Sequence, residues 1–386
     1  LTDASANAAI AVTNTATLDL TGPTPVISTG SADPVSGAFT ITVDFGETVT
    51  GFLVGDISVG NGALSAFADN GGGDFSATLT PAADGTVTVD VASAAAQDAA
   101  GNDSAAATQF TIENDETAPT VTLTTGASDP VSGAFTITAT FSEAVTGFAI
   151  GDFSVGNGAA SSFSATSSTV YTATITPAAD GSVTVDVAAA AAQDGAGNNN
   201  IAATQFSIEN DETVPTVALT TGAADPTSGA FTITATFSEA VTGFAVGDFS
   251  VGNGAASSFS ATSTTVYTAT ITPAADGTVT VDVAAATAQD SAGNGNTAAT
   301  QFSIENDETG PTVALTTGSA DPVSGAFTIT ATFSEAVTGF AIGDFSVGNG
   351  AASSFSATST TVYTATITPA ADGTVTVDVA AAAAQD

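Results

Sequence analysis

Carboxylates are almost the only chemistry this chain carries. Its 386 residues include 39 Asp and Glu but no Lys, Arg, His, Cys, Met or Trp, a formal charge of −39. No imidazole is present for proton transfer, no thiol for nucleophilic attack and no amine for a Schiff base. Carboxyl groups can act as an acid–base pair in hydrolysis, or they can bind a hard cation through oxygen. The rest of an active site's usual equipment is missing, so the reading is a non-enzymatic chain. Without cations it makes no internal salt bridge and cannot neutralise the phosphates of a nucleic acid. Its charge must be met by dissolved cations or by bound metal.

The acids recur, and so does everything around them. Pro23, Pro119, Pro215 and Pro311 are spaced 96 residues apart, as are Phe39, Phe135, Phe231 and Phe327. Asp129–Ser167 returns unchanged as Asp321–Ser359. The first repeat diverges, with "DFGETV" in place of "TFSEAV". The period divides the chain into an N-terminal segment 1–22 and repeats at 23–118, 119–214, 215–310 and 311–386, the last incomplete.

Within a repeat the pattern has period 2. "AFTITATF" (134–141) places Phe135, Ile137, Ala139 and Phe141 on one face and threonines on the other. "SVTVDV" (182–187) turns Val183, Val185 and Val187 inward. Gly/Asn/Asp/Pro turns such as "SDPVSG", "VGNG" and "PAADG" separate these runs. A unit of about 100 residues made of short alternating strands predicts an immunoglobulin-like sandwich of two antiparallel sheets. The fold class expected is all-β: tandem immunoglobulin-like Greek-key β-sandwiches arranged as a rod, the last lacking its own seventh strand. The run Ala188–Ala192 offers one helical turn as an alternative to loop, too short to stand alone.

The combination "DETAPTV…FSEAVTGF…GDFSVGNG…YTATITPAADGSVTVDVAAAAAQDGAGN" resembles the bacterial Ig-like repeats of large secreted adhesins and surface proteins, over about residues 23 to 386. The resemblance implies an extracellular, cell-surface stalk, often rigidified by calcium. Sandwich topology independently brings the second turn "FSEAVTGF", the late loop "QDGAGN" and the linker "ENDET" to one end of each unit. The candidate metal ligands are therefore Asp115, Glu116, Glu143, Asp194 and Asn198; then Asp211, Glu212, Glu239, Asp290 and Asn294; then Asp307, Glu308, Glu335 and Asp386. An all-oxygen set of this kind suits Ca²⁺, and the linker also resembles the acidic calcium-binding linker of cadherins. A solvated linker beside a Gly/Asn turn is the bland alternative. Asp129 and Asp180 read as turn formers.

The two ends pose a separate question. The fourth repeat stops at Asp386, before the strand "TQFSIEN". Segment 1–22 reads as the tail of a repeat, with Ile10, Val12, Leu18 and Leu20 available for burial. One expectation is that this segment completes the last sandwich of another copy, so that the chain is a filament subunit assembled head to tail. The alternative is a spacer excerpted from a longer adhesin, to which the opening Leu1 is equally suited. A third reading is an acidic surface protein tuned to high salt. The partners expected are other copies of the chain; no nucleic acid and no membrane insertion are expected, and no receptor is indicated. The outward threonines suit an exposed sheet face. Asn102-Asp103-Ser104 forms a single glycosylation sequon.

Overall fold

A computed structural model describes residues 13–386. The chain divides into two compact halves, Leu1–Thr213 and Val214–Asp386. Each half holds two sandwiches.

In the first half, the first sandwich comprises β1 (Val26–Thr29), β2 (Phe39–Asp44), β3 (Ile57–Gly60), β4 (Gly62–Gly71), β5 (Asp74–Pro81), β6 (Gly85–Val91) and β7 (Phe110–Asn114). The second comprises β8 (Val121–Thr125), β9 (Phe135–Phe141), β10 (Phe153–Gly156), β11 (Gly158–Ala165), β12 (Val170–Pro177), β13 (Gly181–Val187) and β14 (Phe206–Asn210). In the second half, the third sandwich runs β15 (Val217–Thr221), β16 (Phe231–Phe237), β17 (Phe249–Gly252), β18 (Gly254–Ala261), β19 (Val266–Pro273), β20 (Gly277–Val283) and β21 (Phe302–Asn306). The fourth has β22 (Val313–Thr317), β23 (Phe327–Phe333), β24 (Phe345–Gly348), β25 (Gly350–Ala357), β26 (Val362–Pro369) and β27 (Thr376–Val379).

The second sandwich shows the plan. One sheet has the order β11-β12-β9-β8 and the other β10-β13-β14, all pairs antiparallel. These are the four-plus-three sheets of an immunoglobulin constant-type sandwich. The alternation read from sequence sets the faces. Phe135, Ile137, Ala139 and Phe141 meet Val183, Val185 and Val187 in one buried core. Thr138 lies opposite Thr172 and Thr136 opposite Thr174 on the outer face. Ala188–Ala192 is turn and bend, with Ala190 at φ 61°, so the helical alternative is not realised. Tyr171 is buried, and its hydroxyl donates to the carbonyls of Val145 (3.0 Å) and Ser168 (3.3 Å). Tyr267 and Tyr363 repeat this bond pattern; Phe75 takes the place in the first sandwich.

Two irregularities recur. Edge strand β11 shifts register between Ser161 and Ser164, with Ser162 at φ 51°, and β18 and β25 do the same. The turn before β13 ends on Gly181 at φ 112°, a conformation only glycine enters without strain.

The fourth sandwich differs as its sequence foretells. Its smaller sheet has two strands, β24-β27, where the others have three. Val375, Val377 and Val379, whose counterparts Val183, Val185 and Val187 are buried, are half-exposed. Segment 13–22 forms no strand, and Leu18 and Leu20 are 83% and 77% exposed. Ile10 and Val12 lie outside the described residues.

Tyr171→Phe strips the buried Val145 carbonyl of its hydroxyl donor, while the Ser168 carbonyl keeps the Val145 N–H. Chemical denaturation should show the second sandwich losing about 1–2 kcal/mol.

Candidate metal centre

Three carboxylates from three loops meet at one end of a sandwich. In the first half Asp115, Glu143 and Asp194 each present an oxygen, and the three oxygens lie within 4.8 Å of one another. Asp115 comes from the linker after β7, Glu143 from the loop after β9 and Asp194 from the loop after β13. Asp307, Glu335 and Asp386 form the same group in the second half. Of the remaining sequence-predicted set, Asp211 belongs to the first half and Glu239 and Asp290 to the second.

Short-range bonds fix each ligand before any cation arrives. Asp194 is 5% exposed, and its Oδ1 accepts the N–H groups of Ala196 (2.9 Å) and Asn198 (2.8 Å). The Asn198 amide bridges, donating from Nδ2 to Asp194 Oδ2 and to the Asp115 carbonyl, both at 2.8 Å. Asn198 therefore ties the linker to the loop through its N–H groups. Asn294 binds both oxygens of Asp290, at 2.9 Å each. Asp115 donates its N–H to Val35 O at 2.9 Å, which anchors the linker on the first sandwich.

The expected glutamate ligands of the linker go elsewhere. A methyl group on Gly37 would lie 3.8 Å from Glu116 Oε1, so Glu116 reaches back over the first sandwich. Glu212 does the same beside Gly133 and Glu308 beside Gly229. None of the three belongs to a carboxylate group.

Two features escaped the sequence reading. The first is another group, Asp19, Glu47 and Asp98, likewise within 4.8 Å. Subtracting one 96-residue period from Asp115, Glu143 and Asp194 finds it, but "DFGETV" and "LDLTG" disguise the match. Asn102 holds Asp98 and the Asp19 carbonyl as Asn198 holds its partners. The sequon at Asn102 is thus part of this loop, with Ser104 buried and bonded to the Ala96 N–H.

The second is a linker clamp. Asp180, read as a turn former, accepts the Glu212 N–H (2.7 Å) and the Thr213 hydroxyl (2.6 Å). Asp84 holds Glu116 and Thr117, and Asp276 holds Glu308 and Thr309, in the same way. The hydroxyl bonds first, then the backbone bonds, keep Asp84, Asp180 and Asp276 below the usual carboxylate range. Asp129, also read as a turn former, accepts the Glu209 N–H of β14 at 3.0 Å.

Electrostatics single out one ligand. Burial pushes Glu143 above its ordinary value, and the charges of Asp115, Asp194 and Asp84 push it further. Glu335 is raised alike, by burial and then by Asp307, Asp386 and Asp276. Like charges held together by fixed loops repel, and no cationic side chain exists to relieve them. A hard all-oxygen set of this kind can hold a divalent cation. Within each half the described groups draw ligands from the linker and from the following sandwich.

A family model described as a bacterial Ig-like domain matches four times, at residues 19–113, 115–209, 211–305 and 307–386. The chain belongs to the bacterial Ig-like domain family. Each matched copy opens on the linker aspartate, so the acidic position is part of the repeating unit. Among solved structures, invasin, titled a bacterial integrin-binding protein, is 16% identical; 93% of this chain aligns with 76% of that one, at a TM-score of 0.35. An S-layer protein is 16% identical over 93% of this chain and 53% of its own, so the chain spans about half of it, at a TM-score of 0.24. A tetra-tandem repeat from the extending region of a large adhesion protein is 19% identical over 92% and 90% of the two chains, at a TM-score of 0.27. No curated protein matches. No helix among the described residues is long and apolar enough to cross a membrane.

Glu143→Gln should change sign with conditions. In chelator it removes repulsion and raises the melting temperature of the sandwich by about 4–8 °C per kcal/mol relieved. With millimolar Ca²⁺ it lowers the melting temperature relative to the parent chain. The parent's Ca²⁺ response should also fade as pH falls through the raised Glu143 value, because protonation removes the ligand charge. Calorimetry with and without EDTA across pH reads both effects.

Proposed function

We propose that the chain is a non-enzymatic, extracellular structural protein whose Ig-like sandwiches form a surface stalk stiffened by Ca²⁺ at the junctions. The observation that supports this reading is the recurrence of the carboxylate group on the linker itself. Asp115 follows β7 directly, while Glu143 and Asp194 belong to the next sandwich. A cation held there would couple linker to sandwich and offset charge that nothing else in the sequence neutralises. Extracellular modules that bind calcium with dissociation constants of about 10⁻⁴–10⁻³ M set the affinity expected. Adhesion fits the stalk role, with the chain serving as a spacer within a larger surface protein.

A second reading adds assembly. The outer edge of β27 has no neighbouring strand among the described residues. Head-to-tail strand addition would fill that edge with the N-terminal segment of another copy, within which Ile10, Val12, Leu18 and Leu20 are the apolar side chains on offer. A repeated contact of this kind gives an open fibre rather than a closed dimer.

Removing Ca²⁺ should lower the melting temperature and broaden the distance distribution in small-angle scattering, and adding it back should reverse both. A chain that ignores EDTA but responds strongly to molar NaCl would instead be a salt-adapted acidic protein. Deleting residues 1–22 should abolish fibres in electron micrographs while the middle sandwiches stay folded.

A further inference from the structure

In the second sandwich β14 is held on both of its edges. On one side it pairs antiparallel with β13. On the other it pairs in parallel with the single residue Val131, outside both sheets. Four hydrogen bonds make this second contact. Val131 donates its N–H to the Glu209 carbonyl (2.8 Å), and Asp211 donates to the Val131 carbonyl (2.9 Å). The Glu209 N–H goes to Asp129 Oδ1 (3.0 Å) and the Gly133 N–H to Asn210 Oδ1 (3.1 Å). The Asn210 amide also donates to the Ala179 carbonyl at 3.1 Å, which ties the contact to the turn before β13.

The same set of bonds joins residues 33–37 to 113–115 in the first sandwich and 225–229 to 305–307 in the third, at 2.8–3.2 Å. It survives the divergence of the first repeat and the exchange of valine for Thr227 in the third. The centre is closed to water. Val35, Val131 and Thr227 are 7–8% exposed, and Asn114, Asn210 and Asn306 are 2% exposed. Breaking a bond there exposes no replacement partner, so each is costlier to open than a surface bond.

The path of the chain puts this contact under shear when the chain is pulled. Tension from the preceding linker passes through β8 and draws residue 131 toward its own N-terminal side. Tension from the following linker draws β14 toward its C-terminal side. The two partners are parallel, so they are drawn in opposite directions along one axis. The bonds then carry the load together, whereas partners pulled apart from one end would open bond by bond. Asp211, the first residue of the linker, is itself one of the donors, so the load enters the contact directly. Peeling of β8 from β9 would leave it whole, because the bonds of residues 129–133 described here run to β14 and its linker.

We infer that residues 129–133 and β14, with their counterparts in the first and third sandwiches, form a mechanical lock that sets the pulling force at which each of these sandwiches opens. Only the source of the tension rests on the stalk reading; the lock is a property of a single sandwich. Asp129 thereby has a task beyond shaping its turn, since its carboxylate oxygen supplies one of the bonds under shear.

The chain has no cysteine, so pairs of cysteine handles can be placed for single-molecule pulling on the full chain. Handles at Thr120→Cys and Val214→Cys load the contact along the strands. Handles at Ser128→Cys and Gln205→Cys sit toward the N-terminal ends of both parallel partners and peel it. All four positions are exposed. The second sandwich should open along the strands at about twice the peeling force or more. Asp129→Ala should lower the force along the strands, and Asp129→Asn, which keeps the accepting oxygen, should restore it. Equal forces in the two directions overturn the lock, as does an Asp129→Ala chain that opens along the strands at the parent's force. Should Asp129→Ala fail to fold, the two pulling directions in the parent decide alone. The response to Ca²⁺ and EDTA tests the stalk reading separately, and that reading can fail while the lock stands.

Discussion

A chain without a single cationic side chain must settle every carboxylate by other means. Here the means are backbone N–H groups, hydroxyls and amides. Asp194 is met by two N–H groups and an asparagine, Asp180 by a threonine and the linker backbone. These bonds are local, short and repeated, and they fix the loops at the ends of the sandwiches. Where three acids from separate loops converge, like charges face one another as well. Burial and those charges raise the proton affinity of Glu143 and Glu335. This convergence of like charge is what makes the linker end of a sandwich chemically different from its opposite end.

The same economy organises the linker. Asp84 holds the first linker on the preceding sandwich, while Asn198 holds it on the following one. A linker gripped on both sides is ordered before a cation binds, so binding has less conformational entropy to overcome. A divalent cation held there would act on a geometry already set and would relieve repulsion rather than create the fold.

The fold was legible because period 2 and a period of 96 are both visible in plain residues such as Phe135, Ile137 and Val183. The convergence of Asp115, Glu143 and Asp194 was legible too, since sandwich topology alone carries their loops to one end. What the sequence hid were choices between adjacent groups. Asp115 and Glu116 are neighbours with the same charge, yet one joins the cluster and the other turns back toward Gly37. Asn198 offers both an oxygen and an NH₂ group, and which one faces the acids is a matter of tertiary geometry. Asp84 and Asp180 look like ordinary turn residues because the linker atoms they bind lie 32 and 33 positions away. Asp19, Glu47 and Asp98 were concealed by divergence of their surroundings, not of the acids themselves.

The recurring kink at Ser162, Ser258 and Ser354 has a bearing on how such a chain survives its own synthesis. Neighbouring sandwiches of near-identical sequence invite strands to exchange partners while the polypeptide emerges, and a smooth outer strand would accept a sibling's as readily as its own. A bulge bends the strand and interrupts its row of free backbone groups. Placed on the same outer strand in each bead, it turns that border into a poor template, and lets one sequence be used over and over without tangling.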